Sequence, residues 1–366
     1  MPAEPITKRE LNRATLARQM LLGRENLTVA DAVERLVGLQ AQEAKPPFIA
    51  LWSRLEGFTR GGLTRQLHDR VIVRATAMRC TIHLMSAKDY LRFRGTLQPA
   101  LTYAMQSVLR DRVDEREVAL TVAGAADFFA AAPATFDDLR AYFLAGDAAC
   151  DARALAYLVR THLPLALMPT DAAWGYPGSA KFTPAAEWMG ATPDVSDHID
   201  EMMLRYLAAF GPASAADAQA WSGLKGLSDI FKRLRPTLLE FKDERGRILY
   251  DLPDAPRPNA DTPAPVRFLP EFDTMLLSHA DRTRIIADEH RKLVATPNLR
   301  VLATFLVDGF AAGLWTVERK KKTAALAIKP FAPLDQSVQN ELIEEGSKLL
   351  RFMEEDAGEY EVRLPR

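Results

Sequence analysis

Cysteine is scarce in this sequence of 366 residues, and long apolar runs are missing. The two cysteines, Cys80 and Cys150, lie far apart in the chain, so the sequence predicts neither a disulfide framework nor a zinc site, and both are expected to be buried thiols. No apolar run reaches the roughly 18–20 residues that cross a bilayer, and the N-terminus lacks the apolar core of a signal peptide. We therefore expect a cytoplasmic protein that uses no cofactor, no metal and no membrane.

The chain as a whole also has almost no net charge. Its 47 lysines and arginines face 48 aspartates and glutamates, and a total of −1 argues by itself against a nucleic-acid partner. The charge is unevenly distributed, however, because residues 1–95 hold 16 basic and 9 acidic side chains. This surplus of seven positive charges fits a first module that faces DNA on an acidic scaffold. An uneven surface without function would give the same counts.

Composition and length predict a folded protein of several domains. Apolar residues make up 48% of the chain and charged residues 26%, which is the balance of an ordinary globular protein. Because a domain usually spans about 100–200 residues, a single core is not expected to organise the whole chain.

Residues 1–112 are predicted to form a winged helix with a connecting helix at its end. Apolar residues recur at helical spacing in four segments, and Thr28 followed by Asp31 predicts the cap of the second. Two β-rich runs of period two then form a hairpin, at 71–76 and 80–85. Helices that lead into a hairpin are typical of a winged helix, although any small α+β domain would share this order. The four helical segments are 7–22, 29–39, 47–55 and 61–69.

The same order of elements recurs twice, which is stronger support for winged helices. We predict a second module at 113–193 and a third at 194–256, whose hairpin turns at Glu244-Arg245-Gly246. After a proline-rich linker, 257–366 combines strand-like runs with one amphipathic helix and is predicted to be a β-barrel-like domain. The predicted fold class is α+β, mostly helical, with three tandem winged-helix modules and a C-terminal β-barrel-like domain.

Five stretches of the sequence, in order, resemble one family of bacterial enzymes. They are LNRATLARQMLL at 11–22, VERLVGLQAQEAKPPFIALWSRL at 33–55, RATAMRCTIHLMSAKDY at 74–90, RFLPEFDTMLLSHADR at 267–282 and VDGFAAGLW at 307–315. The family is the winged-helix DNA glycosylases of the AlkZ type, some of which protect antibiotic producers from DNA-crosslinking natural products such as azinomycin. The resemblance implies three winged helices in a C-shaped arrangement plus a C-terminal β-barrel. It also implies a monofunctional glycosylase that removes N7-alkylated purines, unhooks interstrand crosslinks and confers resistance to an alkylating natural product.

The resemblance further assigns the catalytic residues to a short motif. The family carries Gln-x-Gln or Gln-x-Asp after an early helix, and Gln40-Ala41-Gln42 matches the first form, which is that of the crosslink-resistance branch. We expect Gln42 to hold the attacking water and Gln40 to fix Gln42, the water or the sugar. The neighbouring Glu43 is the alternative catalytic side chain.

The residues around the motif are compatible with this assignment. A residue that precedes proline avoids helical dihedral angles, which applies to Lys45 and Pro46. Residues 40–45 are therefore predicted to be non-helical. Side chains two positions apart then point the same way, which would place both amides in one groove. An isolated triplet would equally describe two solvated loop glutamines. No strong acid is required, because an N7-alkylated purine is already cationic and leaves as a neutral base.

Basic side chains near the first hairpin and at a later turn are predicted to contact DNA phosphates. Each of them alone would equally be a solvated surface charge. His83 and His279 are expected to be hydrogen-bonded structural residues, and Asp273 a turn residue or a buried polar anchor. The predicted DNA contacts are Arg54, Arg60, Arg65, Arg74, Arg79, Lys320, Lys321 and Lys322.

Three classes of function are compatible with the sequence. The first is a monomeric glycosylase whose partner is double-stranded DNA carrying alkylated purines or crosslinks, in the cytoplasm and on the nucleoid when bound. The second is a winged-helix transcription regulator without catalytic activity, which ranks lower because no heptad or added dimerisation helix is visible. The third is a scaffold whose winged helices bind proteins. Excision of an N7-alkylated base would separate the first class from the other two.

Overall fold

A computed structural model describes residues 3–112, 115–296 and 300–365. The first segment, 3–112, follows the predicted order of helices and then a hairpin, and the Thr28 side chain caps its second helix by accepting the Asp31 N–H, as predicted. Its elements are β1 (Glu4–Ile6), α1 (Lys8–Arg18), α2 (Val29–Arg35), β2 (Leu39–Gln40), α3 (Pro46–Trp52), α4 (Arg60–His68), β3 (Ile72–Thr76), β4 (Ile82–Ser86) and α5 (Ala87–Leu109).

Three helices followed by two antiparallel strands recur in the second segment, 115–193, and in the third, 194–256. The turn of the third hairpin lies at Glu244-Arg245-Gly246, where Gly246 has the positive φ of +80° that such a turn needs. The elements are α6 (Glu115–Ala131), α7 (Phe136–Gly146), α8 (Ala152–His162), β5 (Leu165–Leu167), β6 (Phe182–Pro184), α9 (Ala185–Met189), α10 (Ile199–Phe210), α11 (Ala215–Ser222), α12 (Leu227–Leu234), β7 (Leu239–Asp243) and β8 (Ile248–Asp251).

Strand pairing joins these segments in a way that the sequence did not indicate. The first two hairpins share one sheet in the order β2-β4-β3-β5-β6, with Ala75 of β3 opposite Ala166 of β5. The short β1 pairs in parallel with β7, so the start of the chain joins the third hairpin. Repeats that look separate along the sequence are therefore connected through their sheets.

An apolar core also joins the first segment to the third. Tyr90 and Phe93 of α5 are buried in the same cluster as Tyr206 of α10 and Trp221 of α11, whose rings lie 5.0 Å apart. Truncating a buried aromatic side chain to alanine costs about 3–5 kcal/mol, so this core holds the segments together strongly. The connecting helix α5 is thus a structural centre of the protein.

The C-terminal segment, 257–365, forms an open sheet where a barrel-like domain was predicted. Within the described residues its strands pair in the order β13-β12-β11-β10-β9, which leaves β13 and β9 at the two edges. A helix covers this sheet, with Leu349 and Leu350 in one core with Phe268 and Trp315. The elements are β9 (Arg267–Leu269), α13 (Arg291–Val294), β10 (Thr304–Val307), β11 (Phe310–Lys320), β12 (Thr323–Pro330), α14 (Gln336–Met353) and β13 (Glu359–Arg363).

Two local predictions are wrong. Lys45 has helical dihedrals, φ −70° and ψ −43°, and Pro46 begins α3, because proline is well tolerated in the first turn of a helix. Cys80 and Cys150 are free and half-buried instead of fully buried, since both lie in turns between regular elements. Along the described ranges, no helix is both long and apolar enough to cross a membrane.

Candidate active site and nucleic-acid interface

A tight turn after α2 places the Gln40-Ala41-Gln42 triplet beside strand β4. Val37 and Gly38 both have positive φ, +52° and +95°, and they reverse the chain direction after the helix. Gly38 packs so closely on β4 that a Cβ atom there would lie 3.1 Å from the carbonyl oxygen of Leu84. The chain then enters β2, where Gln40 lies opposite His83. Gln40 therefore ends a short strand and Gln42 lies in a bend, and none of the residues 40–45 belongs to a helix, as predicted.

The two glutamines of the triplet have different surroundings. Gln40 is 9% exposed, and its Oε1 accepts a hydrogen bond of 2.8 Å from Nη2 of Arg79. Gln42 is half-buried, and its Oε1 accepts the N–H of Ile82 at 3.4 Å. Gln40 is thus fixed inside the protein, whereas Gln42 lies at the surface of a cleft. The expectation that both amides project together into one groove is not met.

The cleft beside Gln42 has a volume of about 330 Å³ and lies between the first and second segments. Gln42 and the exposed Glu43 line one side, and the start of α7 from Thr135 to Asp137 lines another. The buried Tyr176, in the glycine-rich return between β5 and β6, also lines the cleft. Sequence reasoning missed Tyr176, and the only signal for it was the density of turn residues around it.

Arg74 holds the backbone of the triplet and is not placed to contact a phosphate. It is 6% exposed, and its Nε and Nη2 donate to the carbonyl oxygens of Ala41 and Gln42 at 2.9 and 3.1 Å. Its guanidinium lies 4.6 Å from the ring centre of Tyr176, and burial lowers its pKa. The predicted DNA contact of Arg74 is therefore wrong, because its donors are used inside the protein.

Arg79 connects Gln40 to the third segment. Besides Gln40, its guanidinium donates to the carbonyl oxygen of Trp221 at the end of α11. Gly223 allows this approach, since a Cβ there would lie 3.2 Å from Cα of Arg79. Burial, together with the charge of the nearby Arg282, lowers the pKa of Arg79 to about 10. Arg79 thus holds the side chain of Gln40, and its predicted phosphate contact is wrong because its guanidinium donates inside the protein.

The other three arginines predicted near the first hairpin differ in their availability. Arg54 is 0% exposed and forms a two-pronged ion pair with Asp273, so its predicted DNA contact is wrong. Arg60 is half-buried against the ring of Trp174, 4.0 Å from its centre, and donates to carbonyl oxygens at the end of α14. Arg65 is exposed and has no ion pair within the described ranges, so it stays a predicted phosphate contact.

The lysine turn lies where the sequence placed it, between β11 and β12. Lys320, Lys321 and Lys322 are all exposed, and the tip has a positive φ of +54° at Lys321. Lys320 approaches Glu318 at 3.8 Å. The hairpin is confirmed, and its contact with DNA stays a prediction.

His83, His279 and Asp273 have the structural roles that the sequence suggested. Nδ1 of His83 lies 3.1 Å from the Thr81 carbonyl oxygen, and Nε2 of His279 lies 3.0 Å from that of Phe210. Desolvation lowers the pKa of each histidine to about 3, so both are neutral at physiological pH. Asp273 is the buried anchor that pairs with Arg54. Among the described residues, no three side chains of His, Cys, Asp or Glu gather where they would hold a metal ion.

The comparison with known families decides the class of protein. The model of the family described as DNA glycosylase AlkZ-like matches residues 33–352, a range that contains the glutamine triplet, the cleft and the lysine turn. This chain belongs to the AlkZ-like DNA glycosylases. The enzyme class predicted from the sequence is thereby confirmed.

Two similar proteins support the assignment. The "Interstrand DNA cross-link repair glycosylase" of Streptomyces sahachiroi is 27% identical over 346 residues, which cover 86% of this chain and 88% of that protein. The solved structure titled "Streptomyces sahachiroi DNA glycosylase AlkZ" superimposes with a TM-score of 0.78 at 20% identity, covering 99% of this chain and all of that one. At that identity, the structural match supports the fold.

Proposed function

We propose that this glycosylase hydrolyses the N-glycosidic bond of N7-alkylated purines in duplex DNA, with water as the nucleophile. The observation that carries the proposal is a neutral amide, Gln42, that lines an open cleft and accepts the Ile82 N–H. Two carboxylates line the same cleft, Glu43 next to Gln42 and Asp137 at the start of α7. The reaction leaves an abasic site, and strand cleavage follows only when that site is heated in alkali.

The chemistry suits a site without a strong acid. An N7-alkylated purine carries a positive charge, so it departs as a neutral molecule and needs no proton. The remaining requirements are to orient a water molecule and to stabilise an oxocarbenium-like sugar, which preorganised dipoles do well. A carboxamide oxygen has two lone pairs, so Gln42 Oε1 can accept hydrogen bonds both from the Ile82 N–H and from the water, which loses its proton to solvent after it has attacked the sugar carbon.

We assign different roles to the two glutamines. Gln42 orients the water, because it lines the cleft and its backbone carbonyl is held by Arg74. Gln40 supports this geometry from within, since Arg79 holds its side chain and β4 holds its backbone. Neither amide titrates, and neutral His83 behind them supplies no acid.

The same site would act on interstrand crosslinks and thereby confer resistance to a DNA-alkylating natural product. A crosslinked base cannot be swung out of the helix while both strands remain tied, so the enzyme must act on a lesion that stays in the duplex. An open cleft at the junction of two segments suits this better than a closed pocket. The relative from Streptomyces sahachiroi, named as a crosslink repair glycosylase, supports this substrate.

We propose that the three helix-and-hairpin segments are winged-helix modules that grip the duplex as a monomer in the cytoplasm, bound to the nucleoid when engaged. Arg65 and the turn Lys320–Lys322 are the phosphate contacts that fit this arrangement, because their charges are exposed. Such contacts position the protein without reading bases, so binding should depend little on sequence and strongly on salt.

The test is single-turnover excision from a duplex containing N7-methylguanine. Gln42→Ala should slow excision by about 10²–10³-fold, the loss typical of one preorganised group, with duplex affinity and folding almost unchanged. Gln106→Ala, an exposed glutamine on α5, is the matched control and should excise at the wild-type rate. Single-turnover rates at saturating enzyme separate chemistry from binding.

Three results would change the assignment. If Gln42→Ala excises normally and Glu43→Ala does not, the carboxylate is the catalytic group. If neither variant differs from wild type, the site lies elsewhere. A wild-type protein that binds one palindromic sequence tightly and excises nothing would support a regulator in place of the proposed enzyme.

A further inference from the structure

The loop from His279 to Thr283 is rigidly held, and the proposed reaction does not use it. The carboxylate of buried Asp217 accepts the backbone N–H groups of Ala280 and Asp281 at 2.9 and 3.3 Å. His279 bonds to a carbonyl oxygen of α10 in the third segment. Asp281 in turn accepts the N–H of Thr283 at 2.9 Å. A surface loop fixed by this many internal bonds is preorganised to present a side chain.

Arg282 is the side chain at the centre of this loop, and its charge lacks an acidic partner within the described ranges. Its one hydrogen bond joins Nε to the His279 carbonyl oxygen at 3.4 Å, and the side chain is half-buried. The positive charges of two nearby arginines do have an acidic partner, because Arg245 and Arg247 both form ion pairs with Asp281. A partly desolvated guanidinium without an anion is costly, so an external anion would stabilise it.

The space in front of Arg282 is large and positively charged. A cavity of about 850 Å³ is lined by Arg282 together with the exposed Arg291 and Lys292, while Asp288 is the acidic side chain on its wall. Asp288 is already engaged, because it approaches Arg291 at 3.4 Å and Arg245 at 3.5 Å. The cavity therefore carries a positive surplus, which suits a phosphate diester.

One wall of this cavity, at Arg282, is linked to the glutamine triplet through Arg79. The charge of Arg282 acts on Arg79, whose pKa it helps to lower, and Arg79 holds the side chain of Gln40. Like charges repel, and an anion bound at Arg282 would relieve the repulsion between it and Arg79. Binding there would thus be coupled electrostatically to the group that positions Gln40.

We propose that Arg282, with Arg291 and Lys292 beside it, binds a phosphodiester of the damaged strand and so fixes the sugar relative to the glutamine triplet. This inference rests on the proposed glycosylase function. The planar guanidinium fork matches two phosphate oxygens, and its rigid loop reduces the entropy lost on binding. Arg282 is a positioning residue in this scheme and does not touch the reacting atoms.

The first test measures the salt dependence of affinity for an undamaged duplex, which needs no excision. Each lost phosphate contact lowers the slope of log affinity against log salt by about 0.9. Arg282→Gln should show this drop, and Arg282→Lys, which keeps the charge, should retain the wild-type slope. Arg363→Gln, an exposed arginine at the end of β13, removes a charge elsewhere and should also leave the slope unchanged.

The second test replaces single phosphates around the lesion with neutral methylphosphonates. One position should reduce wild-type excision at least tenfold and should have no further effect on Arg282→Gln. If Arg282→Gln does not fold, Lys292→Ala, on the same cavity wall, should show the lowered slope. A wild-type slope for Arg282→Gln, with undiminished sensitivity at every methylphosphonate position, would overturn the inference. A lowered slope in a protein that excises nothing would overturn the glycosylase proposal alone.

Discussion

Removing one partner of the Arg54–Asp273 ion pair should lower the free energy of unfolding without affecting DNA contacts directly. Both side chains are fully buried, and two hydrogen bonds of 2.9 and 2.8 Å join the guanidinium to the carboxylate. The pair links the end of α3 to the C-terminal segment, 219 positions away in sequence. Arg54→Met would leave a buried carboxylate without its cation.

The free energy of unfolding should fall strongly, because an uncompensated buried charge costs about 3–5 kcal/mol. Asp273→Leu and Arg54→Met should cost about the same, because each also loses one bond to the backbone: Arg54 donates to the Ala50 carbonyl oxygen, and Asp273 accepts the Met275 N–H, both at 3.0 Å. The double variant removes both charges and replaces them with apolar groups. It should therefore recover most of the lost stability, apart from the bonds to Ala50 and Met275.

Urea denaturation followed by tryptophan fluorescence would measure these differences, with duplex affinity measured on each folded variant. Arg65→Gln provides the contrast, since that exposed arginine should change affinity and leave the free energy of unfolding nearly constant. The reasoning fails if Arg54→Met is as stable as the wild type but binds duplex DNA more weakly. It also fails if the double variant is less stable than both single variants.

Two further predictions concern the lysine turn and the buried histidines. Changing Lys320, Lys321 and Lys322 together to alanine should lower the salt slope by up to about 2.7 and leave the melting temperature unchanged, whereas unaltered affinity would make this turn an ordinary surface loop. Because the folded-state pKa values of His83 and His279 are lowered to about 3, the unfolded chain binds more protons below pH 6.5. The free energy of unfolding should thus fall as the pH drops, by about 2 kcal/mol at pH 5 for His83 alone. Between pH 7 and pH 5, the free energy of unfolding of a His279→Gln variant should fall less than that of the wild type. Equal decreases would contradict the lowered pKa of His279.

Local signals in the sequence predicted most of the helices and hairpins. The Thr28 cap, the turn at Gly246 and the lysine hairpin all depend on residues within a few positions of one another. The joining of separate hairpins was not predictable in this way. It depends on strand pairs such as Ala75 with Ala166. Both are small apolar residues, and nothing in the sequence marks them as partners. The open C-terminal sheet likewise depends on β13 pairing in parallel with β12.

The candidate site was located by the family motif, but its internal arrangement was not. Nothing in the triplet indicates that Gln40 would lie buried while Gln42 lines a cleft, because both positions carry the same side chain. The difference comes from Arg79, which the positive φ at the hairpin tip and the close approach of Gly223 bring to Gln40. Those constraints combine two distant segments, and only the folded chain brings them together.

The positive surplus of the first 95 residues therefore overstates the charge that this segment offers to DNA. Arg54 donates to the Asp273 carboxylate, Arg74 donates to backbone carbonyl oxygens, and Arg79 holds the Gln40 side chain. A sequence records each charge but not its partner, and here the partners lie inside the fold. Of the cations proposed above to contact DNA, Arg65 lies in the first segment, whereas the lysine turn and Arg282 lie in the C-terminal segment. Affinity for duplex DNA should consequently depend on the C-terminal segment at least as much as on the basic N-terminal one.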